Sequence, residues 1–111
     1  MMRIPEMRAG ESIYEYISRV QDSLGTDYVY ILYGPEVLGP VRGSVDIETA
    51  EIIIEYAKHL VNGVHPDFNA VIAMIGEENQ IAVKKLGDDA YLVAFVPKRE
   101  EKVMKFEEIL V

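Results

Sequence analysis

Between Ile47 and Val64 the chain carries a helical pattern with more apolar surface than one sheet can cover. At about 100° per residue, Ile47, Ala50, Ile54, Ala57 and Val61 fall on one stripe. Ile52, Ile53, Tyr56 and Leu60 widen it past half of the circumference. An ordinary apolar stripe spans a little more than about 100°, and here only Glu48, Glu51, Glu55, Lys58, His59 and Asn62 mark the watered side. The surplus face has two ways to be covered: a second copy of the chain, or deep burial inside a monomer. Chains of about this length bury only some two thirds of their unfolded surface, so the pattern favours an obligate partner.

The rest of the composition narrows the class. The 111 residues are 50% apolar and 27% charged, with no linker-like stretch and no internal repeat, which predicts one domain over residues 1–111 with residues 1–9 as a flexible tail. No apolar run approaches the roughly 20 residues needed to span a bilayer, and Met1 to Gly10 has no apolar core of the signal-peptide kind. The expectation is a cytoplasmic protein without membrane insertion. The absence of cysteine removes disulfides, thiol catalysis and thiolate metal sites. A net charge of −8 opposes nucleic-acid binding. Lys98, Lys102 and Lys105 share helical spacing, but Glu100, Glu101, Glu107 and Glu108 interleave with them and make a solvated, ion-paired helix instead of a basic patch. Abundant Glu beside scarce Gln and Asn is similar to the composition of proteins from hot environments.

Three helices and five strands follow from local pattern. Ser12 with Glu15 fits a capping box, and Ile13, Tyr16, Ile17, Val20 and Leu24 then recur at helical spacing up to Gly25. Tyr28 to Tyr33 is β-branched and aromatic, hence a strand. Gly34, Pro35, Gly39 and Pro40 bracket a turn, and Val41 to Val45 reads as a second, weaker strand. Asp46 or Ser44 caps the long helix, which Gly63 and Pro66 end. Ala70–Ile75, Gln80–Leu86 and Tyr91–Val96 form an antiparallel meander, and Lys98 to Leu110 forms a closing helix. The order is αββαβββα. Ala70–Ile75 and Tyr91–Val96 are apolar on both faces, as expected where helices cover both sides of the sheet or where a second molecule covers an edge, and the former is the expectation here.

Candidate chemistry is sparse. His59 and His65 lie six residues apart, which is not the spacing that puts two ligands on one helix face, so no metal site is expected. Glu77–Glu78 and Asp88–Asp89 read as hairpin turns. There is no phosphate-binding loop, and Ser12, Ser18, Ser23 and Ser44 have no adjacent histidine. Arg42 sits in or near an exposed loop, either as a solvated charge or as a group able to reach into a partner in the manner of an arginine finger. The chain is expected to be neither an enzyme nor a cofactor binder.

This element order resembles the roadblock/dynein light-chain family across almost the whole chain. The segments that carry the likeness are "DIETAE", Asp46 to Glu51, opening the central helix, and "LGDDAYLVAFV", Leu86 to Val96, where a short acidic turn leads into the last strand. Gly34 to Pro40 departs from the family, being longer and more apolar than its usual polar turn. The resemblance implies an α+β, three-layer αβα sandwich with a five-stranded, mainly antiparallel sheet. It also implies a homodimer joined through the central helix and the first meander strand, with Ile52, Ile53, Tyr56, Leu60, Val71 and Ala73 at the interface and Arg42 as a possible partner contact. By family, the function would be that of an adaptor that binds a small Ras-like GTPase and scaffolds it or changes its nucleotide cycle. The alternative is a profilin-like or longin-like module that senses a small molecule in a pocket between sheet and helices. Tyr14, Tyr28, Tyr30, Tyr33 and Tyr91 are more tyrosines than a core requires, so some of them should be exposed.

Overall fold

The structure, a computed structural model, describes residues 3–63, 70–75 and 79–97. Two helices, α1 (Ile13–Leu24) and α2 (Ile47–Gly63), accompany the strands β1 (Val29–Tyr33), β2 (Glu36–Leu38), β3 (Ala70–Ile75), β4 (Asn79–Gly87) and β5 (Ala90–Pro97). All strand pairs are antiparallel, and the sheet runs β2-β1-β5-β4-β3. The chain is therefore an α+β protein with an antiparallel sheet. The closing helix read over Lys98 to Leu110, and with it Lys98, Lys102 and Lys105, lies outside the described residues, as do His65 and Glu77–Glu78.

Alternation along the strands divides the core into two. Val29, Ile31, Leu92 and Ala94 pack with Tyr16, Ile17 and Val20 of α1. Tyr30, Leu32, Ile81, Val83, Val93 and Phe95 point the other way and pack with Ile53 and Ala57 of α2. Period-two alternation sends successive side chains to opposite faces, so one helix covers each face.

α1 is built as its sequence predicts. Ser12 accepts a hydrogen bond from the Glu15 amide at 3.1 Å, the Glu15 carboxylate accepts one from the Ser12 amide at 2.8 Å, and Gly25 caps the far end. Of residues 1–9, read as a flexible tail, Ile4, Pro5 and Glu6 contact this helix. Tyr16 donates to the Pro5 carbonyl at 2.7 Å, Arg19 donates to the Glu6 carbonyl at 2.6 Å, and Ile4 packs on the α1 cluster. Arg19 also meets Glu11 through two bonds of 2.8 Å, the bidentate geometry that a guanidinium and a carboxylate favour. Those bonds and the Arg8 amide hold the Glu11 carboxyl down at about 2, while burial pushes the Tyr16 hydroxyl up to about 12.

The second strand is a correction. It is Glu36–Leu38, not Val41–Val45, and Gly34–Pro35 alone makes the turn, with Tyr33 opposite Glu36 and Ile31 opposite Leu38. A two-residue hairpin needs positive φ at its first central position, and Gly34 supplies +57° ahead of Pro35. The second Gly-Pro pair, Gly39–Pro40, instead starts the crossover to α2. The segment from 41 to 46 has no strand partner among the described residues; it is fastened by side chains. Gln21, buried on α1, accepts from the Val41 and Arg42 amides and donates to the Asp27 and Arg42 carbonyls. The Asp27 carboxylate accepts from the Ser44 amide, and it lies so close to Gly43, whose φ is +80°, that a Cβ there would sit 2.3 Å from it. Tyr28 accepts from the Asp46 amide at 3.1 Å. Asp46, not Ser44, then caps α2 by accepting from the Thr49 amide at 3.0 Å.

Candidate functional site

The apolar stripe of α2 is rotated by about one residue from the sequence expectation. Its centre is Ile53, 1% exposed, and Ala57, with Ala50, Ile54, Tyr56, Leu60 and Val61 half-buried around them. Ile53, expected at a dimer interface, is thus occupied within the chain's own core. Ile47, expected inside, is 73% exposed at the first residue of the helix. Ile52 is 65% exposed and is the large apolar side chain that α2 leaves to water along its middle. Tyr56 and Leu60 continue its row at four-residue spacing. Val71 and Ala73 lie on β3, opposite Val83 and Ile81; their side chains are outside the described part of the molecule. β3 ends the sheet and pairs with β4.

The two flanks of α2 have different surroundings. The helix lies over β4 and β5. On one flank Lys58, Val61 and Asn62 face the β1–β2 hairpin across a pocket of about 230 Å³, which Leu32, Gly34, Pro35, Glu36, Val37, Asp89 and Tyr91 complete. Ile52 and Tyr56 lie about 120° around the helical wheel from Lys58 and Asn62, on the other side of the buried line of Ile53 and Ala57, and so on the flank away from the β1–β2 hairpin. A hydrogen bond of 3.0 Å from the Gly34 amide to the Asp89 carbonyl joins the two turns at the mouth of the pocket. The pocket lining combines aliphatic side chains with Glu36, Lys58, Asn62 and Asp89. None of those four makes a side-chain hydrogen bond or ion pair among the described residues.

Arg42, His59, Tyr14, Tyr28, Tyr30 and Tyr33 do not line this pocket. Arg42 is exposed, and its guanidinium pairs with Asp22 of α1; its backbone is held by Gln21. His59 is exposed on α2, and among the described residues no group of three or more His, Cys, Asp or Glu is placed to hold a metal. Of the tyrosines, Tyr14 and Tyr33 are 56% and 53% exposed, whereas Tyr28 and Tyr91 are half-buried and Tyr30 is buried. Tyr28 meets Phe95 edge-on at 5.5 Å. The Tyr30 hydroxyl lies against the α2 side of the sheet without a hydrogen-bond partner among the described residues, and burial pushes it up to about 12. No helix among the described residues is long and apolar enough to cross a membrane. The pocket was not legible in the sequence, because its walls come from positions up to 59 residues apart, between Leu32 and Tyr91.

Comparison with protein-family models, with curated proteins and with solved structures gives no match to this chain. The described residues form an α+β protein with an antiparallel sheet and two helices.

Proposed function

We propose that this chain is a non-enzymatic, homodimeric adaptor of roadblock-like, three-layer plan that binds a small Ras-like GTPase and scaffolds it or changes its nucleotide cycle. Ile52 carries the reading. An isoleucine two-thirds exposed in the middle of a helix, in line with the half-buried Tyr56 and Leu60, forms a ridge that a second copy can interdigitate with across a two-fold axis. Burying one such side chain contributes about 1.5–3 kcal/mol, and both copies contribute. β3 lies toward the same flank, so its pairing with its twin would extend the five strands and remove an aggregation-prone edge. The GTPase enters the proposal through the family resemblance, and the exposed Tyr14 and Tyr33 supply aromatic groups of the kind that anchor protein interfaces.

Light scattering coupled to size exclusion over a dilution series tests the dimer. The expected result is a stable dimer that Ile52→Glu converts to a folded monomer, because a carboxylate trapped at the two-fold contact costs several kcal/mol. Tyr56→Glu acts in the same direction. A wild-type chain that stays monomeric at every concentration would remove the proposal. Affinity capture by the wild-type dimer of a purified Ras-like GTPase, lost together with dimerisation, tests the second half.

A further inference from the structure

We infer that the pocket between the β1–β2 hairpin and the last turns of α2 binds a free basic α-amino acid, lysine or arginine. The inference stands apart from the adaptor reading, since the pocket and Ile52 lie on opposite flanks of α2.

Size sets the first limit. At about 230 Å³ the pocket is smaller than the roughly 300–1,000 Å³ typical of sites for drug-sized ligands, so a metabolite of amino-acid size is the fitting scale. Charge sets the second. Glu36 and Asp89 bring two carboxylates and Lys58 one ammonium, none of them paired among the described residues. These walls stand beside the carboxyl-terminal end of α2, whose dipole adds fractional negative charge. The complementary ligand carries two positive groups and one negative group. Its body must be aliphatic, to lie on Leu32, Val37 and Val61. Lysine and arginine meet all of these terms: an α-ammonium and a side-chain cation for the two carboxylates, an α-carboxylate for Lys58 with the Asn62 amide beside it, and a methylene stem between them. Leucine lacks the second cation, and glutamate would set a second anion against Glu36 and Asp89.

Calorimetric titration of the full chain with L-lysine, L-arginine, L-leucine and L-glutamate at one ionic strength tests the inference. Lysine and arginine should saturate, leucine should bind at least tenfold more weakly, and glutamate should give no isotherm. Asp89→Asn keeps turn chemistry and should weaken lysine at least threefold, as should Glu36→Gln if the first variant fails to fold. Pentane-1,5-diamine, which lacks the carboxylate, should bind more weakly than lysine to the wild type and equally to Lys58→Met. The absence of saturation with lysine, leucine binding as tightly as lysine, or folded Asp89→Asn and Glu36→Gln binding like wild type would each overturn it. The mass of each sample by light scattering reports the dimer separately.

Discussion

The two faces of the sheet are finished to different degrees. On the α1 face the helix is capped at both ends, its most buried polar side chain, Gln21, makes four backbone hydrogen bonds, and residues 4–11 are strapped across it by Tyr16 and Arg19. The α2 face has Ile47 and Ile52 in water and, among the described residues, a pocket whose charged side chains are unpaired and a Tyr30 hydroxyl without a partner. Buried polar groups left unmatched and apolar groups left exposed both cost free energy. Under the adaptor proposal the α2 face is the side that meets other molecules, and Tyr14 is an exposed aromatic on α1.

The largest effect that tests this contrast lies within α2 itself. Ile53→Ala should cost about 2–5 kcal/mol, as a core truncation does, whereas Ile52→Ala, read by denaturant unfolding in the monomeric Tyr56→Glu background, should stay within about 0.5 kcal/mol. Equal costs would mean that both residues belong to the chain's own core. Gln21→Leu comes next, because it strands the Val41 and Arg42 amides and the Asp27 and Arg42 carbonyls. Even one buried group left unsatisfied costs about 1–3 kcal/mol, and a midpoint unchanged in urea would show that the α1 face does not rely on this network.

A smaller effect appears in acid. Arg19 and the Arg8 amide depress the Glu11 carboxyl from 4.5 to about 2. A carboxyl lowered in the folded state stabilises the fold above its unfolded value and gives that stability up as pH falls through the folded value. Wild type should therefore lose its advantage over Glu11→Gln between about pH 4.5 and pH 2, the two melting temperatures converging at the acid end. Parallel melting curves across that window would mean that the strap is not held by this pair. The smallest effect expected is that of Arg42→Ala. Its pair with Asp22 is exposed on both sides, and such pairs contribute about 0–1 kcal/mol. If a captured GTPase nevertheless lost a hundredfold in stimulated hydrolysis, Arg42 would be the finger that its pairing with Asp22 argues against.

Particular residues show where sequence reading succeeded. Ser12, Glu15 and Gly25 delimit α1 because caps act within three or four residues of one another. The hairpin failed for the opposite reason: Gly34–Pro35 and Gly39–Pro40 carry the same dipeptide, and only pairing with β1 selects the first as the turn. The strand that results has three residues, Glu36–Leu38, too few to display alternation. The inward side of α2 was misjudged because Ile47, Ile52, Ile53 and Ile54 are chemically alike, and the wheel alone contains more apolar positions than the sheet accepts.

Local chemistry in the chain was enough to determine both helices, the meander and the Asp88–Asp89 turn, since propensity, period and capping act over a few neighbouring residues. Tertiary structure alone decided that Ile53 is buried and Ile52 is not, that Gln21 fastens a segment 20 residues away, and that Glu36, Lys58 and Asp89 share a pocket. Those outcomes depend on which distant surfaces meet, and burial free energy is set by that meeting and not by any residue's neighbours along the chain.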